Sequence, residues 1–326
     1  MLALFQQEFV RNAFLAGTIV SVVTAVIGYF VILRAQAFAG EALADIGFAG
    51  ATGAAVLGIS SLLGMFFLAL LAALGMGALG TRIRGRDVEI GMVLSFALGL
   101  GALFLSIYSQ SGTNAAAGVG ILFGSILSVT LVNVLISLAS GIATLLVIAF
   151  LFRPLLFASV DPEVAEARGV PVRLLSIIFL VLLGITTAET VLVVGVLLVL
   201  ALLIAPAATA MHLTRRPLTS ISLAVALGLI FTWGGLILAF VGTGRNLPVS
   251  FYITTLAALS YFISIPLGRL RSPRPEMDQP YSSCKQVSAP PSGSTRNHVA
   301  LLALARSAFS ASAGQRRFRS AFTDAP

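Results

Sequence analysis

Of the 12 acidic residues in this chain of 326, three fall within or beside long apolar runs: Glu41, Asp45 and Glu189. Ionisable groups inside a bilayer are costly and mark pathways for ions or substrates. Glu41 and Asp45 are four residues apart, so on a helix both carboxylates point the same way, one turn above the other. Like charges at that spacing repel unless a cation lies between them. Hard oxygen ligands suit a divalent ion such as manganese, iron or zinc better than a soft monovalent one. A plainer reading competes: Glu41 near a helix start stabilises that end through the dipole. Gly47, Gly50, Ala51, Ala54 and Gly58 follow, a slender stretch suited to the crowded centre of a bundle. Glu189, in TTAETV, falls at an expected outer turn. There it fits a solvated loop carboxylate, an outer gate or a docking point for a binding protein.

A second constellation is DPEVAEARGVP. Asp161 can cap a helix with Pro162 in its first turn, Glu163, Ala165 and Glu166 continue it, and Gly169 with Pro171 ends it. A bare connector between spans needs only about 2–8 residues, so a short exposed helix here has the shape needed to receive force from a separate ATPase.

Other chemistry is missing. Gly75, Gly77 and Gly80 in GMGALG match a dinucleotide-binding spacing, but inside an apolar span they are helix-packing residues. The single lysine, Lys285, has no glycine frame for a phosphate loop. There is no H-E-x-x-H, no G-x-S-x-G, and only His212 and His298 in the chain; His212 reads as an interfacial residue. Neither a soluble nor an intramembrane enzyme fits, and no permanently bound cofactor is expected.

The elements that must position these residues are helices in lipid. The chain is 58% hydrophobic and 10% charged, with a mean hydropathy of +1.03, against about 25% charge in a soluble domain. A span needs roughly 20 apolar residues, and the runs are continuous rather than alternating as in a membrane β-barrel. The fold class is all-α, a polytopic transmembrane bundle of about nine spans near 12–33, 38–58, 61–80, 90–109, 131–152, 172–188, 190–211, 218–242 and 250–267. Arginines gather in the loops after the third, fifth and seventh spans and after the ninth (Arg82, Arg84, Arg86; Arg153, Arg168, Arg173; Arg215, Arg216; Arg269, Arg271, Arg274). By the positive-inside rule that face is cytoplasmic. The N-terminus is then outside, the C-terminus inside, and no cleaved signal peptide is expected. A pI near 10.7 therefore marks one side of the plasma (inner) membrane rather than a nucleic-acid surface. GILFGSILSVT, between spans four and five, suggests a re-entrant or interfacial helix. The transmembrane domain is expected over 1–271, and 272–326 reads as a disordered basic cytoplasmic tail, rich in Pro, Ser and Gly.

Four stretches in order resemble the permease subunits of ABC importers for manganese, zinc and iron: FVILRAQAFAGEALADIGFAGAT, LFGSIL, DPEVAEARGVPVRLL and VGVLLVLALLIAPAATAMHLTRR. The likeness covers about residues 8–270. It implies two separate ATPase subunits, a periplasmic or lipid-anchored metal-binding protein, and a second permease copy or paralogue in the bilayer. It further implies a metal site in the second span, made by an acidic residue and a histidine four positions on. Those positions are Glu41 and Asp45, so aspartate stands where the family has histidine. The change leaves an all-oxygen pair better matched to manganese or iron than to zinc. The competing function is a stand-alone secondary transporter driven by an ion gradient. Such proteins tend to use broken helices in repeated halves; Gly195 and Pro206 interrupt the seventh span, but the first half offers no counterpart.

Overall fold

The computed structural model describes residues 7–79, 86–110, 124, 126, 129–214, 216–241 and 248–271. The described residues form ten α-helices: α1 (Glu8–Leu33), α2 (Ala37–Val56), α3 (Ser61–Leu79), α4 (Arg86–Gln110), α5 (Leu131–Val160), α6 (Pro162–Ala167), α7 (Val172–Val194), α8 (Val199–Leu213), α9 (Pro217–Val241) and α10 (Val249–Arg271). Seven of them are long and apolar enough to cross a bilayer: α1, α3, α4, α5, α7, α9 and α10. The other two of the expected nine are α2, diluted by its acids and glycines, and α8, which is short. The expected interfacial helix around 120–130 and the tail lie almost wholly outside the described residues.

Burial sorts the helices by their solvent. α1 and α7 are mostly buried, whereas α3, α4, α5, α9 and α10 are largely exposed along their lengths. Phe96 on α4 and Phe150 on α5, 72% and 86% exposed, point outwards. In a bilayer those faces meet lipid, where an exposed phenylalanine costs nothing. α2 is buried among α3, α4 and α7, with an edge against α8, because its small residues let neighbours close in. A methyl group on Gly50 would run into the Gly64 carbonyl of α3, so these two backbones are in contact. Without a hydrophobic drive between helices in lipid, such close packing is a main source of association. Gly77 likewise lies against Ile177 of α7, which fits a packing role for the GMGALG glycines.

One boundary differs from expectation. α7 does not turn at Ala188–Thr190 but runs on to Val194 and stops at Gly195, whose φ of 94° suits glycine alone. The threonines of TTAET need no water. Thr186, Thr187 and Thr190 donate their hydroxyls to the carbonyls of Leu182, Gly184 and Thr186 at 2.9, 3.0 and 2.7 Å. A polar-looking stretch can therefore sit inside a buried helix. Pro206 is also accommodated within α8 rather than breaking it.

Candidate functional site

The site is built around α2. Glu41 is half-buried and Asp45, one turn on, is 3% exposed. One carboxylate oxygen of Glu41, Oε2, is buried without a hydrogen-bond partner. Phe48 and Ala44, both fully buried, continue α2 into a cluster with Met65 and Ala69 of α3 and Ala188 and Val191 of α7. Gly40, before Glu41, lies against the side chain of Leu203 in α8. Two carboxylates are thus held one turn apart on the central helix, in largely apolar surroundings.

The dipole explanation for Glu41 loses ground here. The first turn of α2 contains no acidic residue, and its N-cap, Gln36, makes no side-chain capping bond. Glu41 is the fifth residue of the helix, beyond the first turn in which the dipole acts strongly. Among the described residues no group of three or more His, Cys, Asp or Glu comes together. One chain therefore brings two acidic side chains to this place, fewer than the six to eight or so oxygens a hard divalent ion collects.

At α6 the expected residues fall into place. The Asp161 carboxylate accepts the Val164 N–H at 3.1 Å, Pro162 occupies the first turn, and Glu163 and Glu166 face outwards. At the other end, the Gly169 N–H donates to the Glu166 carbonyl at 2.9 Å and the Val170 N–H to the Ala165 carbonyl at 3.0 Å. That pair of bonds, with Gly169 at φ 82°, is a Schellman stop. Ala165, fully buried, joins a core with Phe30, Leu155 and Phe179. This short helix is capped at both ends and seated on the bundle by one small side chain, with Glu163 and Glu166 exposed.

Glu189 is not where the sequence put it. It is 1% exposed inside α7, so it is not a solvated loop carboxylate. Its carboxylate lies toward Ser140 and Gly141 of α5, yet neither oxygen reaches a well-formed hydrogen bond. The α1 side chains Ile19 and Val23 flank the same Gly141. Ala188, its neighbour in sequence, packs with α2, but Glu189 faces the α1–α5 side, away from the Glu41/Asp45 pair. His212, in the last turn of α8, is exposed and 5.7 Å from the ring of Tyr261.

Sequence reasoning missed Arg34, the residue after α1. Its Nε donates to Ser159 Oγ of α5 at 3.0 Å and its guanidinium lies 5.1 Å from the centre of the Phe179 ring in α7. Burial pulls its pKa below the usual arginine value. The signal was present in FVILRAQAF, where this arginine stands immediately before the acidic helix.

Known proteins share this architecture. A manganese transport system membrane protein, MntC, of Halalkalibacterium halodurans is 30% identical over 269 residues, 82% of this chain and 91% of that protein. The manganese import system permease protein ScaB of Streptococcus gordonii is 33% identical over 258 residues, covering 79% and 90%. Among solved structures, PsaBC from Streptococcus pneumoniae in complex with Fab superimposes with a TM-score of 0.71 at 29% identity, over 81% of this chain and 95% of that one. MntC and ScaB are named as membrane components of manganese transport and import systems. The family pattern itself spans residues 6–267, nearly the whole bundle, and the chain belongs to the ABC 3 transport family.

Proposed function

We propose that this chain is the membrane-spanning subunit of an ATP-driven importer of a divalent transition metal, with manganese the first candidate. It works with a separate ABC ATPase on the cytoplasmic side, an external metal-binding protein, and a second permease copy or paralogue in the plasma membrane. The observation that carries the reading is the Glu41/Asp45 pair, held one turn apart on a buried central helix with a carboxylate oxygen unpartnered. The relatives named for manganese support the choice of metal, as does the all-oxygen character of the pair, since carboxylates suit manganese where imidazole suits zinc.

In this reading the metal is cargo. It passes a ring of carboxylates that a second permease would double, which supplies ligands that one chain lacks. α6 is the point at which the ATPase pushes, because it is capped, short and outwardly charged. Rocking of the bundle then opens the carboxylates to one side or the other. Ion-gradient-driven transport is the competitor. Manganese uptake into proteoliposomes holding this chain and its ABC ATPase, with the metal-binding protein supplied outside, separates them. Uptake that requires ATP and persists when ion gradients are collapsed is expected; gradient-driven uptake without the ATPase would overturn the assignment.

A further inference from the structure

Arg34 is a half-buried charge that the transport cycle described above leaves unused. It caps the C-terminus of α1 and opens the three-residue connection Arg34–Gln36 that leads into α2. Its side chain turns back into the protein, donating to Ser159 Oγ of α5 and lying over Phe179 of α7. The seat is aromatic: Phe30 meets Phe152 and Phe179 edge-on, at 5.9 and 6.3 Å between ring centres. Nη1 is buried without a partner. A partly buried ionic side chain with an unmet inner donor adds little stability, so its value here is geometric.

Both ends of this contact are stiff. On one side, the Ala35 N–H donates to the Ile32 carbonyl at 3.1 Å and the Gln36 N–H to the Val31 carbonyl at 2.9 Å. That is a Schellman stop closed by an alanine at φ 53°, the one non-glycine positive φ among the described residues. The Gly40 N–H then bonds the Gln36 carbonyl at 3.1 Å, so α2 begins directly from the stop. On the other side, Ser159 lies two residues before Asp161, the N-cap of α6. The route from α6 to the start of the carboxylate helix thus consists of a cap, one hydrogen bond and a rigid turn, with no flexible loop.

We propose that Arg34 is a positioning residue, a strut that ties displacement of α6 to the start of α2 and so delivers the ATPase's stroke to the Glu41/Asp45 pair. This rests on the transport reading above. Coupling of this kind shows as a non-additive pair of substitutions.

The test uses the full chain with its ABC ATPase in proteoliposomes, the metal-binding protein supplied outside, reading manganese moved per ATP hydrolysed. Arg34→Met keeps the apolar stem and removes the donor and the charge. The ATPase should remain bound and active while manganese per ATP falls on the order of tenfold, the scale of one coupling interaction. Ser159→Ala should lower the ratio in the same direction, and the double variant should be no worse than Arg34→Met alone. Arg34→Lys, which keeps charge and donor but not the planar stack, should recover part of the loss. A merely structural role lowers uptake and hydrolysis together and leaves the ratio intact. A wild-type ratio in Ser159→Ala, or additive losses in the double variant, overturns the strut; Ser159→Ala decides the matter even if Arg34→Met fails to assemble. A wild-type chain that binds no ATPase and shows no ATP-driven uptake overturns the transport reading instead.

Discussion

Replacing Gly169 with alanine isolates the conformational part of the α6 assignment. Gly169 has φ 82°, and a methyl group added to it would meet nothing within 4 Å. The substitution therefore costs only the backbone penalty of an L-residue in the left-handed region, about 1–2 kcal/mol. The helix it ends is six residues long, far below the roughly 12–15 at which an isolated helix becomes marginal in water. α6 thus depends on its two caps and on buried Ala165. A penalty of about 1 kcal/mol lowers the folded-to-unfolded ratio of such a segment roughly fivefold. Gly169→Asn should be milder, since asparagine tolerates this conformation. Gly169→Pro should be worst, because proline fixes φ near −65° and has no N–H for the Glu166 carbonyl. Amide hydrogen exchange across 162–168 reads local opening, and ATP-driven manganese uptake normalised to membrane expression reads its consequence. Both should rank glycine, asparagine, alanine, proline, with the thermal stability of the bundle unchanged for the first three. Equal uptake in all four, with exchange confirming that the helix opens, would refute α6 as the coupling element.

Two further perturbations probe the packing and the sidedness. Gly50→Val should push α2 from α3, since any side chain meets the Gly64 carbonyl and the Leu68 Cβ; overpacking of this kind costs about 1–3 kcal/mol, read as a lowered unfolding temperature in detergent. With the single native cysteine removed by Cys284→Ser, a cysteine at Arg168 should be shielded from an impermeant thiol reagent in intact cells and one at Pro248 should react; the reverse pattern would invert the expected topology.

What the sequence made legible was local or compositional. The spans follow from continuous apolar length, and α6 from the placement of Asp161, Pro162 and Gly169, whose capping chemistry acts within a few residues. Glu189 was misplaced because a run of threonines beside an acid looks like a turn, whereas each hydroxyl can bond a carbonyl of its own helix. Arg34 escaped notice because an arginine at the end of a span ordinarily reaches for the interface. Its partner, Ser159, lies 125 positions along the chain, and only the fold brings them together. The Gly50–Gly64 crossing is of the same kind: small residues announce close packing but not with which helix. The carboxylate pair was visible from spacing, and the structure added its burial and its distance from the helix start.

Metal selectivity at position 45 tests the central claim most directly. Radiolabelled manganese and zinc uptake should be compared for the wild type, Asp45→Asn and Asp45→His, each normalised to membrane expression. Asp45 is buried beside an unpaired Glu41 oxygen, so Asp45→Asn should relieve repulsion and leave the fold intact while removing a charged ligand. Manganese uptake should then fall by about tenfold or more, the order of loss seen even for outer-shell partners of metal ligands. Asp45→His should bring in an imidazole and move the preference towards zinc. Wild-type rates and an unaltered manganese-to-zinc ratio in both variants would contradict a metal path through Glu41 and Asp45.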